Sequence, residues 1–326
     1  VIAAVSRRSP GHGSSWSERE MPRPCSNTHG WTHQATAANV VGGECMRRPR
    51  RENPAAHDYA SLDALIGVDH VPEGDLTIHH RGLPIDVRVE SRGFDATTIF
   101  FHAALTSSKV PYPTFAGVAL SEDLPTNRIH ISDPSLHLDS ALAVAWFAGN
   151  RHQPDLQDTI IAILRRLLPD GQRPVFFGAS GGGFAALRYA AEFAGSTAIP
   201  VNPQTDITRY TPAHVERYAR KAWALSSADE LDSLPAVTDV STIYRAPVPN
   251  RVLYLQNTGD TSHVDDHMTP FVDALHPAND ATLLQLDAGS GHVPPHKSVM
   301  KEVLFRAITD QPPPGAEDLA ALQLSS

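Results

Sequence analysis

Three residues far apart in the chain have the types that nucleophilic catalysis requires: Ser180, Asp260 and His292. A serine hydroxyl is a weak nucleophile at neutral pH and needs an imidazole to take its proton. The imidazole in turn needs a carboxylate to hold its tautomer and to stabilise its charged form. Ser180 lies in Gly178-Ala179-Ser180-Gly181-Gly182, after the apolar run Pro174 to Phe177 and before a segment of helical spacing rich in Ala, Leu and aromatics. This context of strand, tight turn and helix puts the serine on a sharp, strained bend. Side chains at 178 and 182 would collide there, so both positions are glycine.

The base and the acid are sought downstream. His292 closes Asp287-Ala288-Gly289-Ser290-Gly291-His292, a glycine-rich loop after the last predicted strand that can carry an imidazole across to the serine. His296 competes for the role, but Pro294 and Pro295 separate the two and His296 opens the closing helix, so His292 is preferred. Asp260, in Asn257-Thr258-Gly259-Asp260, directly follows the preceding strand and is the expected acid. Asp265 and Asp266 fall further on and read as solvated carboxylates of a helix.

With Gly178 to Gly182, Asn257 to Asp260 and Gly291-His292 in the order Ser, Asp, His, the chain over roughly residues 60 to 308 resembles the α/β-hydrolase superfamily. The resemblance implies an oxyanion hole built from the backbone N–H of Gly181 and from the loop after the Thr97–Phe101 strand, with Ala104 as donor and Ala103 as the alternative. The family's usual His-Gly in that loop is His102-Ala103 here. A backbone donor does not depend on the side chain, so the hole is expected to survive the change. The function implied is a cofactor-free, carboxylesterase-like serine hydrolase that cleaves a small-molecule ester or related acyl bond through an acyl-enzyme. An acyltransferase with an alcohol or sugar acceptor, or a non-catalytic protein that kept the fold, are the alternatives.

The elements that must position these residues follow from periodicity. Leu76–His80 and Ile85–Glu90 alternate and read as an antiparallel hairpin at the sheet edge with one solvated face, joined by Arg81-Gly82-Leu83-Pro84. Thr97–Phe101, Arg128–Ser132, Pro174–Phe177, Thr197–Val201, Arg251–Gln256 and Ala281–Leu286 read as buried strands. Asp155–Leu168, with Asp155 as its cap, and Lys297–Ile308 read as helices. Strands alternating with helices give an α/β fold: a mostly parallel central sheet flanked by helices, with a helical, lid-like insertion over about 207–247. That insertion opens at Thr211-Pro212, and pocket residues are expected from the His102 loop, Asn202 to Asp206, Tyr218 and Trp223. The expected domain plan is an Arg/Pro/Ser-rich leader at 1–54 carrying no period, a catalytic domain at 55–310 and a flexible tail at 311–326.

Bulk composition narrows the classes. With 326 residues, 41% hydrophobic, the chain can bury one large core. A net charge of -9 disfavours nucleic acid as a partner. Only Cys25 and Cys45 are present, both before the folded body, which excludes a disulfide framework there. The longest apolar window, Ala141 to Ala148, is too short to span a bilayer. Arg7 and Arg8 follow the apolar Val1 to Val5, the reverse of a secretory signal, so a cytoplasmic location is expected, and the leader, with Met21 and Met46 inside it, reads as a passive tail. His263-x-x-x-His267 has metal-ligand spacing, but HExxH is absent and no third ligand motif accompanies it. Surface histidines are expected instead, with His263 a candidate to line the site beside Asp260, and no metal is predicted. GxxxxGK[ST] and a post-strand GxGxxG are missing, which disfavours a nucleotide.

Overall fold

The computed structural model describes residues 47–324. Nine strands, β1 (His57–Tyr59), β2 (Gly74–His80), β3 (Leu83–Glu90), β4 (Ala96–Phe101), β5 (Asn127–Ser132), β6 (Arg173–Ala179), β7 (Thr197–Val201), β8 (Arg251–Asn257) and β9 (Asp280–Leu286), form one sheet. Their order is β1-β2-β3-β5-β4-β6-β7-β8-β9. β3 runs antiparallel to both neighbours, and the other pairings are parallel. The order reverses around β4, so the loops after β4 and β6 open side by side at the carboxyl edge, where ligands bind in such sheets.

Among the described residues, nine α-helices accompany the sheet: α1 (Leu62–Ile66), α2 (Leu156–Leu167), α3 (Gly181–Ala190), α4 (Pro212–Ala222), α5 (Ser241–Tyr244), α6 (Thr261–His263), α7 (Thr269–Ala274), α8 (Lys297–Ile308) and α9 (Ala316–Leu324). Alternate residues of each central strand face opposite cores. Ile99 and Phe101 of β4 and Phe176 of β6 pack with Leu156, Ile160 and Phe184 on one face. Phe100, Val175 and Phe177 pack with Val299 and Val303 of α8 on the other. A strand covered on both sides needs no polar face, which is why these strands read as continuous apolar runs.

Six departures from the sequence reading have physical causes. The hairpin turn is only Arg81-Gly82, with φ of 50° and 82°, so Leu83 and Pro84 belong to β3 and pair with His80 and His79. The hairpin is also not the edge, because β1 adds in parallel beyond β2. Nor is its outer face solvated: Asp86 is buried, and Arg50 donates to its Oδ1 at 2.6 Å while Thr77 donates at 2.8 Å. Arg48 is buried too, its guanidinium bonding the carbonyls of Ser107, Val110, Ser140 and Leu142 at 2.6–3.4 Å. Arg48 and Arg50, expected in the 1–54 leader, are thus built into the fold, while residues 1–46, with Cys25 and Cys45, lie outside the described residues.

Asp155 does not cap α2 through its side chain, which instead bonds His80 and Arg81 at 3.0 Å each. The stretch after Gln311, expected to fray, forms α9, because Leu319 is buried against α8 and the second core. The insertion between β7 and β8 is helical as expected, with Val215, Tyr218, Ala219 and Ala222 of α4 buried. Among the described residues, no helix is long and apolar enough to cross a membrane.

Candidate active site

Ser180 stands between β6 and α3 with φ 55° and ψ −121°, a conformation that an L-residue holds only where the surroundings enforce it. The enforcement is visible. Ser180 N–H donates to Val201 O at 2.9 Å, and the Ser180 carbonyl accepts from Gly183 and Phe184 at 2.9 and 3.3 Å. A Cβ at Gly178 would lie 2.0 Å from Gly182 O, and one at Gly182 would lie 2.4 Å from Phe101 O. The elbow therefore needs both glycines for close backbone approach.

The loops after β8 and β9 are bound to one another. Asn257, at the end of β8, donates from Nδ2 to Gly289 O and Gly291 O at 2.8 and 3.1 Å, and its Oδ1 accepts from Gly259 and Ala288. A Cβ at Gly259 would lie 2.2 Å from Gly289 O, so the loops touch where that glycine sits. This contact brings His292 Nδ1 to 2.6 Å from Asp260 Oδ2. His296 is directed elsewhere: its Nδ1 accepts from Ser298 N–H as the cap of α8.

Asp260 is shared. His263, three residues on, also places Nδ1 within 3.0 Å of the carboxylate, and its ring stacks on His292 with centroids 4.0 Å apart. Burial pushes the Asp260 carboxyl up, but the hydrogen bonds it accepts from His292 and His263 and the proximity of His292 outweigh it and leave the group below its ordinary value. Burial and the neighbouring His292 push His263 down to about 4, so it is neutral at physiological pH. Its Nδ1–H faces Asp260, and its Nε2 accepts from Gln204 Nε2 at 2.9 Å. His263 and His267 are both buried, not the surface histidines expected, because the segment after Asp260 turns inward against Thr205.

Gln204 completes the link to the serine. Its Nε2 donates to Ser180 Oγ at 2.8 Å, while its Oε1 accepts from the Trp146 indole at 3.1 Å. The indole can only donate, so the amide has one orientation. Trp146 is held by a loop with consecutive positive φ, 54° at Trp146 and 56° at Phe147. Asp133 accepts from Phe147 N–H at 2.7 Å and Tyr189 donates to Phe147 O at 2.7 Å, enough to over-determine the strained pair. Among the described residues, no hydrogen bond joins the Ser180 hydroxyl to His292.

On the β4 side, His102 is buried, donating from Nδ1 to Ala103 O at 2.8 Å and accepting at Nε2 from Asp133 N–H at 3.1 Å. Burial holds it down to about 4. In a planar trans peptide C=O and N–H point opposite ways, so the Ala104 N–H faces away from the imidazole that holds the Ala103 carbonyl. Gly181 N–H is in the first turn of α3, where helix amides lack intrahelical partners.

Tyr210 of the insertion packs edge-on against both Trp146 and His263. An open cleft of about 170 Å³ lies beside Tyr210 and His263, lined also by Arg209, Pro212, Ser262 and His267 among others. The ligand-type atoms of Asp260, His263 and His292 lie within 4.8 Å of one another. An ionised carboxylate only accepts, so both imidazoles face Asp260 with Nδ1–H, and a metal held on those atoms would require them bare.

Of the expected site residues, Asp260 and His292 are joined directly, and Ser180 is linked to Asp260 through Gln204 and His263. Gln204 fell within the stretch expected to line the pocket and His263 was a candidate beside Asp260, but their linkage carried no sequence signal. Trp146 carried none either, since nothing marks residues 146 and 147 for positive φ.

No family model matches the sequence, and no curated protein matches it. Solved structures do. The capsule O-acetyltransferase of Neisseria meningitidis serogroup A superposes with a TM-score of 0.54 at 13% identity, over 72% of this chain and 96% of that one. The 2,6-dihydroxy-pseudo-oxynicotine hydrolase gives 0.51 at 15% identity, over 75% and 71%. A puromycin hydrolase gives 0.51 at 15% identity, over 75% of this chain and 40% of that one. The chain has the α/β-hydrolase fold.

Proposed function

We propose that this protein is a serine hydrolase that cleaves a carboxylic ester or related acyl bond of a small molecule through an acyl-enzyme. Ser180 attacks the carbonyl, and His292 takes the hydroxyl proton and returns it to the leaving alcohol. Asp260 orients His292 and stabilises its charged form. Gly181 and Ala104 N–H groups bind the oxyanion. The observation that carries the reading is the 2.6 Å contact between Asp260 and His292, made by loops that meet at the edge where Ser180 is held at φ 55°. His263 is a poorer base, because its Nε2 is already occupied by the Gln204 amide. Closure of the Ser180–His292 contact on substrate binding accords with the looser geometry of unliganded sites.

A fluorophosphonate probe is expected to label Ser180 covalently, and Ser180→Ala to abolish both labelling and turnover of p-nitrophenyl esters. Unlabelled, well-folded protein whose Ser180→Ala variant turns over as before sinks the assignment.

Acyl transfer by the same groups is a second reading. Its support is the burial of Ser180, 7% exposed, and of the Gln204 and Trp146 bonded in series to it, with Tyr210 and Tyr218 of the insertion packed on Trp146, since excluding water favours a competing acceptor. The likeness to a capsule O-acetyltransferase is consistent with it at the level of fold. Partitioning of the acyl group between water and added alcohols or sugars separates the two.

A further inference from the structure

Gln204 is fully buried, yet it spends its amide on the reacting oxygen. Both of its N–H bonds are committed, one to Ser180 Oγ at 2.8 Å and one to His263 Nε2 at 2.9 Å, and its carbonyl is held by Trp146 at 3.1 Å. A donor placed on a nucleophile's oxygen does not help it attack, because it draws on the lone pairs that must form the new bond. It helps that oxygen leave. Once Ser180 is acylated, Oγ is an ester oxygen and a weak acceptor. As the deacylation intermediate collapses, Oγ regains electron density and the hydrogen bond strengthens, so the stabilisation is larger in the transition state than in the acyl-enzyme.

We propose that Gln204 is a further catalytic residue whose N–H stabilises Ser180 Oγ as the leaving group in deacylation, with His263 and Trp146 as the positioning residues that fix its amide. This rests on the serine-hydrolase reading above. In the step concerned, water adds to the acyl carbon while His292 takes one of its protons. The intermediate then collapses, the C–Oγ bond breaks with its electron pair going to Oγ, and protonated His292 returns the proton to Oγ. The products are the carboxylic acid, or the ester if an alcohol replaces water, and free Ser180.

The arrangement requires His263 to be neutral. A protonated Nε2 would face the amide N–H as a second donor and drive Gln204 to turn over, removing the donor from Ser180. Asp260 therefore serves two imidazoles for different ends: His292 on its open side for proton transfer, and His263 on its buried side to hold the tautomer that Gln204 needs.

The test compares the parent with Gln204→Met, which keeps the volume and removes the donor, using p-nitrophenyl acetate. Acylation is read from nitrophenolate release with enzyme in excess, and deacylation from decay of the acyl-Ser180 adduct by rapid-quench mass spectrometry. Acylation is expected to stay within about threefold of the parent while deacylation slows about tenfold or more, the size of one hydrogen bond to a charge-bearing oxygen. KM should fall with kcat, leaving kcat/KM nearly constant. If Gln204→Met does not fold by circular dichroism, His263→Asn, which releases the amide, is measured for the same pattern. Equal slowing of both steps, or deacylation unchanged, overturns the role of Gln204 while the hydrolase reading stands. A parent that gives neither adduct nor fluorophosphonate labelling removes the hydrolase reading itself.

Discussion

The loop after β4 and the loop after β9 each bring a histidine to the carboxyl edge of the sheet, and the two imidazoles are spent in opposite ways. His102 uses both nitrogens on the backbone, at Ala103 O and Asp133 N–H, and has none left for a proton transfer. His292 gives one nitrogen to Asp260, and its side chain is 37% exposed. An imidazole with both ends tied to the main chain is architecture, and one tied at a single end to a buried carboxylate is a base in waiting. His263 combines the two, tied at one end to Asp260 and at the other to a side chain that touches the Ser180 hydroxyl.

The contrast can be broken most sharply at its reactive member. His292→Ala is expected to lower ester turnover by about a thousandfold or more while leaving the melting temperature nearly unchanged. A variant that retains most of its turnover would show that His292 is not the base and would point to His263.

The buried member should answer to stability instead. His102→Ala strands the Ala103 carbonyl and the Asp133 N–H and is expected to cost about 2–4 kcal/mol in denaturant unfolding. It should also flatten the pH dependence of the melting temperature. Burial holds His102, His130, His137 and His263 down to about 4 and His267 to about 3, so all five are neutral in the folded chain while the unfolded chain takes up protons near 6.5. Their contribution is complete above that value and is lost as pH falls toward 4. Asp133, raised to about 6 by burial, has the opposite sign: its contribution is complete below 3.8 and is lost as pH rises through 6. Burial also pushes His152 and His214 down and Asp206 up, so seven imidazoles against two carboxyls predict a net fall of melting temperature from pH 6.5 to 4, and a flat profile contradicts the burial argument.

The smallest effect belongs to His296, the other histidine of the β9 loop. His296→Ala removes the cap of α8 and should cost about 0.5–1 kcal/mol with turnover preserved. Loss of turnover there, with His292→Ala active, would exchange the roles of the two.

Much of this was legible in the sequence because it depends on local chemistry. The elbow is written in Gly178, Ser180 and Gly182, since a strained turn excludes Cβ atoms whatever surrounds it. Strands β4, β6 and β8 were legible as apolar runs because both of their faces are covered. The order of Ser180, Asp260 and His292 marked the proposed acid and base because each closely follows a strand that ends at the same sheet edge. Other features were invisible for a common reason. Arg50 reads as part of a basic tail until Asp86, 36 residues away, is placed opposite it. Residues 311–326 read as a flexible tail because the burial of one leucine, Leu319, which holds Ala316–Leu324 as a helix, has no signal in the sequence.

The residue types, the elbow and the alternation of strand and helix were determined by the chain itself, through constraints that act within one turn or one strand. The choice of neighbours at Ser180 was not. Gln204, His263 and Trp146 meet there because the segments that follow β7, β8 and β5 leave the sheet at one rim, and an amide that must satisfy a hydroxyl, an imidazole and an indole at once finds them only after the sheet has closed the distance.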